Sequence, residues 1–415
     1  MSRRIYGLLG AKLGHSFSPA IHAALGNEAY TLYEKPEEEL EAFVRREDLG
    51  GLNVTIPYKQ KVLPFVDECS DTVRTLGAAN TLYRRDGKLC AANTDVDGFC
   101  YMARSAGITV TGKKVLVLGN GGASQAVQEA LRQMGAGQVL VFNRTPSDSA
   151  LPFALLSSHE DADVLVNTTP VGMYPDNLSA PVDLRAFPNL TGVLDIVYNP
   201  LRTGLLLQAE ALGIPFANGL SMLVAQAVRA HEYFFDTTVD DAVIGTILAD
   251  LTRQVENLVL IGMPGCGKTT IARLLAERTG REVIDLDEEI VRTAGKSIPD
   301  IFAEDGEAAF RDLEHAEIEK AGARTGVILS LGGGAVTRED NYLPLHQNGR
   351  IYQLTRDPEL LPTDGRPLSR DLETLKTMAA ERAPLYERFR DVWIANDATP
   401  DDAADRIWND FAKHP

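Results

Sequence analysis

A chain of 415 residues is too long for one ordinary core, so two or three domains are expected. Its net charge of −17 and sequence pI of about 4.9 argue against a nucleic-acid or anionic-membrane surface and leave small molecules as the expected partners. The four cysteines, Cys69, Cys90, Cys100 and Cys266, show no C-x-x-C spacing, so neither a zinc site nor a disulfide framework is indicated, and a reducing cytoplasm is expected. No apolar run approaches the ~20 residues of a membrane span. Lys12 and His15 interrupt the apolar stretch behind Arg3 and Arg4, which argues against a signal peptide.

Ile5 to Gly10 reads as a first strand ending in a glycine turn, and Pro19 opens a helix running to about Leu25. Ser16 and Ser18, at the start of that helix, can hold a carboxylate; Ser18 alone can equally be its N-cap. Glu37 to Arg46 reads as a charged amphipathic helix. The strand Gly51 to Ile56 places Asn53 and Thr55 on one face, and Pro57 ends it just before Lys59. A small-residue turn, Gly77-Ala78-Ala79-Asn80-Thr81, leads into a hairpin around Asp86-Gly87 that returns to Asn93-Thr94-Asp95. Each of these polar residues alone is an ordinary turn residue.

As a set they resemble the substrate domain of the shikimate dehydrogenases. The resemblance implies that Ser16 and Ser18 bind the substrate carboxylate and that Thr55, Asn80 and Asp95 bind ring hydroxyls. It also implies that Lys59 and Asp95 form the catalytic pair.

The run Val115 to Leu118, the loop Gly119-Asn120-Gly121-Gly122-Ala123-Ser124 and a helix behind it come close to the dinucleotide fingerprint, with Ser124 in place of the third glycine. The next strand, Val139 to Phe142, ends in Asn143-Arg144-Thr145. Arg144 stands where an NAD enzyme carries an acid, and a guanidinium there suits a 2′-phosphate, so NADP(H) is expected. Further strands are read at Asp163 to Asn167 and from Val193 on. The helix after Gly219 carries Gln226 within its apolar stripe, where a polar group needs a partner. The same resemblance extends to about residue 240. It implies Tyr198 and Gln226 on the substrate side, and Asp71, Ile196 and Gly219 on the cofactor side with the glycine loop and Asn143 to Thr145. Only Pro146 to Glu160 separates two strand regions here, which predicts a truncated β-α-β unit and a smaller nucleotide sheet.

Leu258 to Ile261 reads as a buried parallel strand. Gly262-Met263-Pro264-Gly265-Cys266-Gly267-Lys268-Thr269 follows and matches G-x-x-x-x-G-K-[ST] in full, with a helix from Thr270 to Thr279. The glycines let N–H groups turn inward around phosphates, Lys268 reaches them, and Thr269 suits Mg²⁺. Leu251 to Glu256 is read as the linker before this domain. Asp285 and Asp287 are read as two residues apart on one strand, hence pointing the same way. With Phe310-Arg311-x-x-Glu314, Gly332-Gly333-Gly334, Arg366-Pro367-Leu368 and Arg382-x-Pro384-Leu385-Tyr386, the segment from about 256 to 410 resembles shikimate kinase. The resemblance implies Asp287 as base, Asp285 and Thr269 around Mg²⁺, and Arg311, Arg382 and Gly333 on the substrate. It places Arg366 on a lid over ATP, with Gly262, Gly265, Cys266, Gly267, Lys268 and Thr270 around the nucleotide. Leu354 to Arg366 is short for a lid, and Asn396-Asp397-Ala398 lacks the arginine some members place beside adenine.

The expected architecture is α/β. Residues 1–100 form a substrate domain, completed by a helix near 219–245. Residues 101–218 form a Rossmann-like NADP domain, and 256–415 a P-loop kinase domain with a parallel sheet. The expected function is NADPH-dependent reduction of 3-dehydroshikimate followed by ATP-dependent phosphorylation of shikimate, in a cytoplasmic monomer or homodimer. The alternative is a shikimate/quinate dehydrogenase whose kinase-like half serves regulation or interaction.

Overall fold

A computed structural model of the chain describes residues 4–14, 16–357, 359 and 372–414. It divides into two compact units. One comprises Met1–Met173, Ser179–Tyr198 and Gly204–Leu248; the other comprises Tyr174–Leu178, Asn199–Thr203 and Ala249–Pro415.

The first unit holds two sheets. The first is mixed, with strand order Tyr30–Glu34, Ile5–Gly10, Leu49–Val54, Thr81–Arg85, Lys88–Ala92 and Glu68–Cys69. Leu49–Val54 is buried at every position, as a strand covered on both faces must be. It pairs parallel with Ile5–Gly10 and antiparallel with Thr81–Arg85. The helix Leu220–Phe235 packs on this sheet and against the helices Asp95–Ser105 and Ser18–Ala24, which brings Gln226 to the sheet's carboxyl edge.

The second sheet is wholly parallel, in the order Phe216–Asn218, Gly192–Asp195, Val164–Asn167, Lys114–Leu118, Gln138–Asn143 and Leu151–Pro152. The expected truncation takes a particular form: the sheet keeps six strands, and its edge strand shrinks to Leu151–Pro152. Paired backbone bonds between Ser147 and Ala150 close a turn too tight for a helix, and a 3₁₀ segment, Phe153–Ser158, follows the edge strand.

The second unit has one parallel sheet, ordered Val283–Asp285, Ile328–Ser330, Asn257–Gly262, Gly349–Thr355 and Val392–Ala395. Asn257–Gly262 is buried throughout and lies at the centre.

Four local readings are corrected. Leu251 to Val255 is not a loose linker: it is the last part of the helix Asp241–Val255, and Leu251 and Val255 are buried on its apolar face. Asp287 is not on a strand. The strand ends at Asp285, which caps the helix Leu286–Ala294 by accepting the Asp287 N–H, so Asp287 lies in a first helical turn. Ser18 is not an N-cap; it is the first residue of Ser18–Ala24, and Ser16 Oγ accepts its N–H at 3.2 Å. Glu37 to Arg46 breaks into a 3₁₀ turn, Glu37–Glu39, and a short helix, Leu40–Val44. Among the described residues no helix is long and apolar enough to cross a membrane.

Candidate active sites

In the first unit a cavity of about 290 Å³ opens where the two sheets' carboxyl edges meet. It gathers Ser16, Ser18, Thr55, Lys59, Asn80, Asp95, Tyr198 and Gln226, together with Asn53, Ile196, Gly219 and Met222. Lys59 Nζ donates to Asp95 Oδ2 at 2.6 Å, and Asn80 Nδ2 donates to Asp95 Oδ1 at 2.9 Å. Both carboxylate oxygens are thus engaged. Asp95 is the first residue of Asp95–Ser105, where the helix N-terminus favours a negative group. Asn80 is fixed in turn, because its Oδ1 accepts the Thr94 N–H at 2.7 Å and the Thr81 hydroxyl at 2.9 Å. Gln226 finds the partner its buried helix face requires: its Nε2 donates to Leu223 O at 2.9 Å, and its Oε1 lies 3.4 Å from Asn80 Nδ2. Burial pushes the Tyr198 phenol up, keeping it protonated.

The glycine loop joins the strand Lys114–Leu118 to the helix Gly122–Gln133. Gly119 has φ +102°, and a Cβ there would lie 2.7 Å from Thr168 Oγ1, so no larger residue fits. Ser124, at the third glycine's place, is fully buried and donates to Gly119 O at 2.8 Å, so it staples the loop instead of opening it. The helix Gly122–Gln133 has Gly121 as N-cap and no side-chain cap, which leaves first-turn N–H groups for an anion. Asn120 is tied to Ser149 at 3.1 Å, and Asn143 Nδ2 donates to Thr145 O at 3.0 Å. Arg144 and Thr145 are exposed at the end of the second strand, and Ala123 lies in the helix's first turn. Asp71 sits apart from the cavity lining, at the start of Asp71–Leu76, ion-paired with Arg74 at 2.6 Å.

In the second unit another cavity of about 290 Å³ is lined by Gly265, Gly267, Lys268, Thr269, Thr270, Asp285, Asp287, Ser330 and Gly333. Gly262, Gly265 and Gly267 adopt φ of +145°, +82° and +101°. The helix Lys268–Thr279 again has no side-chain cap. Lys268 Nζ donates to Gly262 O at 2.8 Å and Met263 O at 3.1 Å, folding over the loop. Thr269 donates to Asp285 Oδ2 at 2.9 Å, and Ser330 donates to the same oxygen at 3.2 Å. Ser330 had no motif to announce it; its place at a parallel strand's carboxyl end, in register with Asp285, is the signal that could have found it. Cys266 is buried, and Asn396 Nδ2 donates to its carbonyl at 2.8 Å, so Asn396 braces the loop.

The triple glycine is a contact surface. A Cβ on Gly334 would lie 2.2 Å from Arg311 Nη2, and one on Gly332 would lie 3.0 Å from Asp287 Oδ1. Gly333 O accepts from Arg382 at 2.8 Å and from the Tyr386 hydroxyl at 2.6 Å. Arg311 is held by Glu314 at 2.7 Å, and burial pushes the Glu314 carboxyl up against the pull of Arg311. Asp287, Arg311, Gly333 and Arg382 therefore stand around one end of the P-loop. Among the described residues no three His, Cys, Asp or Glu side chains gather as a metal cluster. A Mg²⁺ here would rest on Thr269 and Asp285 with phosphate oxygens completing its shell. Arg366 lies outside the described residues.

The family model for the shikimate dehydrogenase substrate binding domain matches residues 8–82, and the shikimate kinase model matches residues 264–412. The shikimate dehydrogenase (NADP(+)) of Caldicellulosiruptor bescii is 41% identical over 256 residues, covering 55% of this chain and 88% of that protein. Its counterpart in Symbiobacterium thermophilum is 38% identical over 261 residues, covering 56% and 89%. A chorismate mutase/shikimate 5-dehydrogenase fusion protein from Clostridium acetobutylicum has a similar structure. Its TM-score is 0.58 at 35% identity, covering 60% of this chain and 98% of that one. The shikimate 5-dehydrogenase of Thermus thermophilus, solved in complex with NADP(H) and shikimate, gives 0.53 at 33% identity, covering 60% and 99%. With most of such relatives' length matched at this identity, the chain belongs to the shikimate dehydrogenase family, and its C-terminal part is a shikimate kinase family domain.

Proposed function

We propose that the chain is a bifunctional enzyme that reduces 3-dehydroshikimate to shikimate with NADPH and then phosphorylates shikimate at its 3-hydroxyl with MgATP. The observation that carries the first activity is the Lys59–Asp95 pair, 2.6 Å apart in a cavity ringed by hydroxyl and amide side chains. The second rests on the Thr269–Asp285–Ser330 cluster beside Asp287 at the P-loop. The proposed residue roles and the use of ATP and Mg²⁺ belong to this reading.

The residues suit the groups they would hold. Uncapped N–H groups of Gly122–Gln133 and the exposed Arg144 fit a dinucleotide with a 2′-phosphate. The glycine backbone, Lys268 and Thr269 fit a nucleotide triphosphate. NADPH, when bound, supplies a hydride to the ketone carbon, and MgATP supplies the phosphoryl group.

In the first site the ketone oxygen gains charge as its carbon is reduced. Lys59 has three N–H groups; Asp95 takes one, leaving two for that oxygen. Lys59 gives the proton, and Asp95 keeps the ammonium aimed and offsets its charge. Ser16 and Ser18 receive the substrate carboxylate, while Thr55, Asn80, Tyr198 and Gln226 orient the ring. In the second site Asp287 accepts the proton of the attacking hydroxyl. Arg311 and Arg382 fork onto the carboxylate at the ring's far side, and the Gly333 backbone supports the ring.

Incubation with dehydroshikimate, NADPH and MgATP tests both activities at once. NADPH consumption should be followed by formation of a phosphate ester. NADPH loss without the ester leaves a dehydrogenase alone, and ester formation only from added shikimate leaves a kinase alone.

A further inference from the structure

Behind the serine pair lies a row of buried polar side chains that the chemistry above does not use: Tyr30, His22 and, bordering the cavity, Asn53. Tyr30 donates its hydroxyl to Asn53 Oδ1 at 2.8 Å, and His22 Nε2 lies 3.2 Å from the same oxygen. An amide oxygen only accepts, so the His22 proton must sit on Nε2. That leaves Nδ1 bare, and it is buried with no hydrogen-bond partner. A bare nitrogen tolerates such a place, whereas a protonated one would be stranded there. Burial, with His231 alongside, holds the ring neutral, its pKa lowered to about 3. The Tyr30 phenol is raised well above its ordinary value by burial, is hydrogen-bonded to Ser18, and stacks on the His22 ring at 3.9 Å.

Both lone pairs of Asn53 Oδ1 are therefore occupied from one side. Its Nδ2 lies 3.5 Å from Asn80 O and from Thr81 Oγ1. The flipped amide would set oxygen against the Asn80 carbonyl, so the orientation is fixed. Contacts of that length engage the N–H groups only weakly. Asn53 borders the cavity, and these weakly held N–H groups are the donors it has left for a ligand there.

We propose that His22 and Tyr30 are positioning residues of the dehydrogenase site, which lock the Asn53 carboxamide so that its N–H groups select a substrate carrying an acceptor oxygen at that wall. This rests on the dehydrogenase reading above. Neither residue touches the reacting atoms; His22 acts through Asn53, and Tyr30 acts through Asn53 and Ser18.

The test is a double-mutant cycle in the full-length protein. Tyr30→Phe removes one hydroxyl and keeps the ring, and His22→Phe removes the N–H. Each should raise KM for dehydroshikimate about tenfold while kcat and the KM for NADPH hold within about threefold, the effect of one lost buried hydrogen bond. Asn53→Ala should raise the same KM, and adding His22→Phe to it should raise KM no further. Additive rises would overturn the proposal, as would Tyr30→Phe with wild-type KM. Should His22→Phe fail to fold, His22→Leu takes its place in the cycle. An inert wild-type protein would remove the dehydrogenase reading and this proposal together; an active one with unaltered variants removes only the proposal.

Discussion

Lys59 and Arg144 are two cations with different proposed work in the dehydrogenase. Lys59 is partly enclosed and fixed by Asp95, so its proposed work is proton delivery to a defined atom. Lys59→Met should therefore depress kcat with little change in KM for dehydroshikimate; steady-state kinetics giving the reverse pattern would reduce Lys59 to a binding residue. Arg144 is exposed at a strand end and offers charge rather than a proton. Arg144→Ala should cost about 1.5–3 kcal/mol of NADPH affinity and little NADH affinity, measured by paired cofactor titrations. Equal losses for both cofactors would sink the 2′-phosphate assignment. His22 adds an acid sensitivity. Its folded pKa of about 3 lies below the ordinary 6.5, so the unfolded chain binds the proton first as pH falls. Stability is then fully present above 6.5 and declines as the pH drops toward 3. Between pH 6.5 and 4.5 this one ring should cost about 2–3 kcal/mol. Thermal inactivation of the dehydrogenase, assayed afterwards at neutral pH, should be markedly less acid-sensitive in His22→Phe.

At the scale of the element, motifs that carry backbone geometry could be read from the sequence. The P-loop fixes glycines at positive φ between a buried strand and a helix, and both flanking elements are where their apolar patterns put them. Asp285 and Asp287 were harder, because i, i+2 spacing means one face only while the strand lasts. Here the strand stops at Asp285, whose side chain caps the next helix, and the two carboxylates reach the cavity from different elements. Ser330 and His22 escaped notice for a related reason: each acts through a neighbour distant in sequence, and no local pattern marks such a contact. The truncated nucleotide unit could be foreseen from the short spacing, but not the two-residue strand that the Ser147–Ala150 turn still permits. The triple glycine gives a prediction at this scale. A methyl at Gly334 would displace the Arg311 guanidinium, the far end of a flexible side chain, so the fold should survive. Gly334→Ala should raise KM for shikimate about tenfold or more while MgATP affinity and melting temperature stay near wild type. A large drop in melting temperature would mean that the backbone, and not Arg311, had yielded.

Across the whole molecule, every residue lining the first cavity belongs to one compact unit and every residue lining the second to the other. The last crossing from one unit to the other falls between Leu248 and Ala249, within the helix Asp241–Val255. Chemistry in one site therefore requires no side chain from the other unit. Asp287→Asn separates them cleanly: it keeps size and hydrogen bonding and removes the proposed base. Phosphoryl transfer to shikimate should fall roughly 10²–10⁴-fold, the usual worth of a positioned acid–base group. MgATP should still bind, since Lys268, Thr269 and the loop backbone are unchanged. The mutant supplied with dehydroshikimate, NADPH and MgATP should oxidise NADPH at the wild-type rate and accumulate shikimate. Impaired NADPH oxidation would reveal coupling between the sites that their residue composition does not require. Undiminished phosphate transfer would take the base role from Asp287 and leave Asp285, which already binds Thr269 and Ser330, as the carboxylate to examine next.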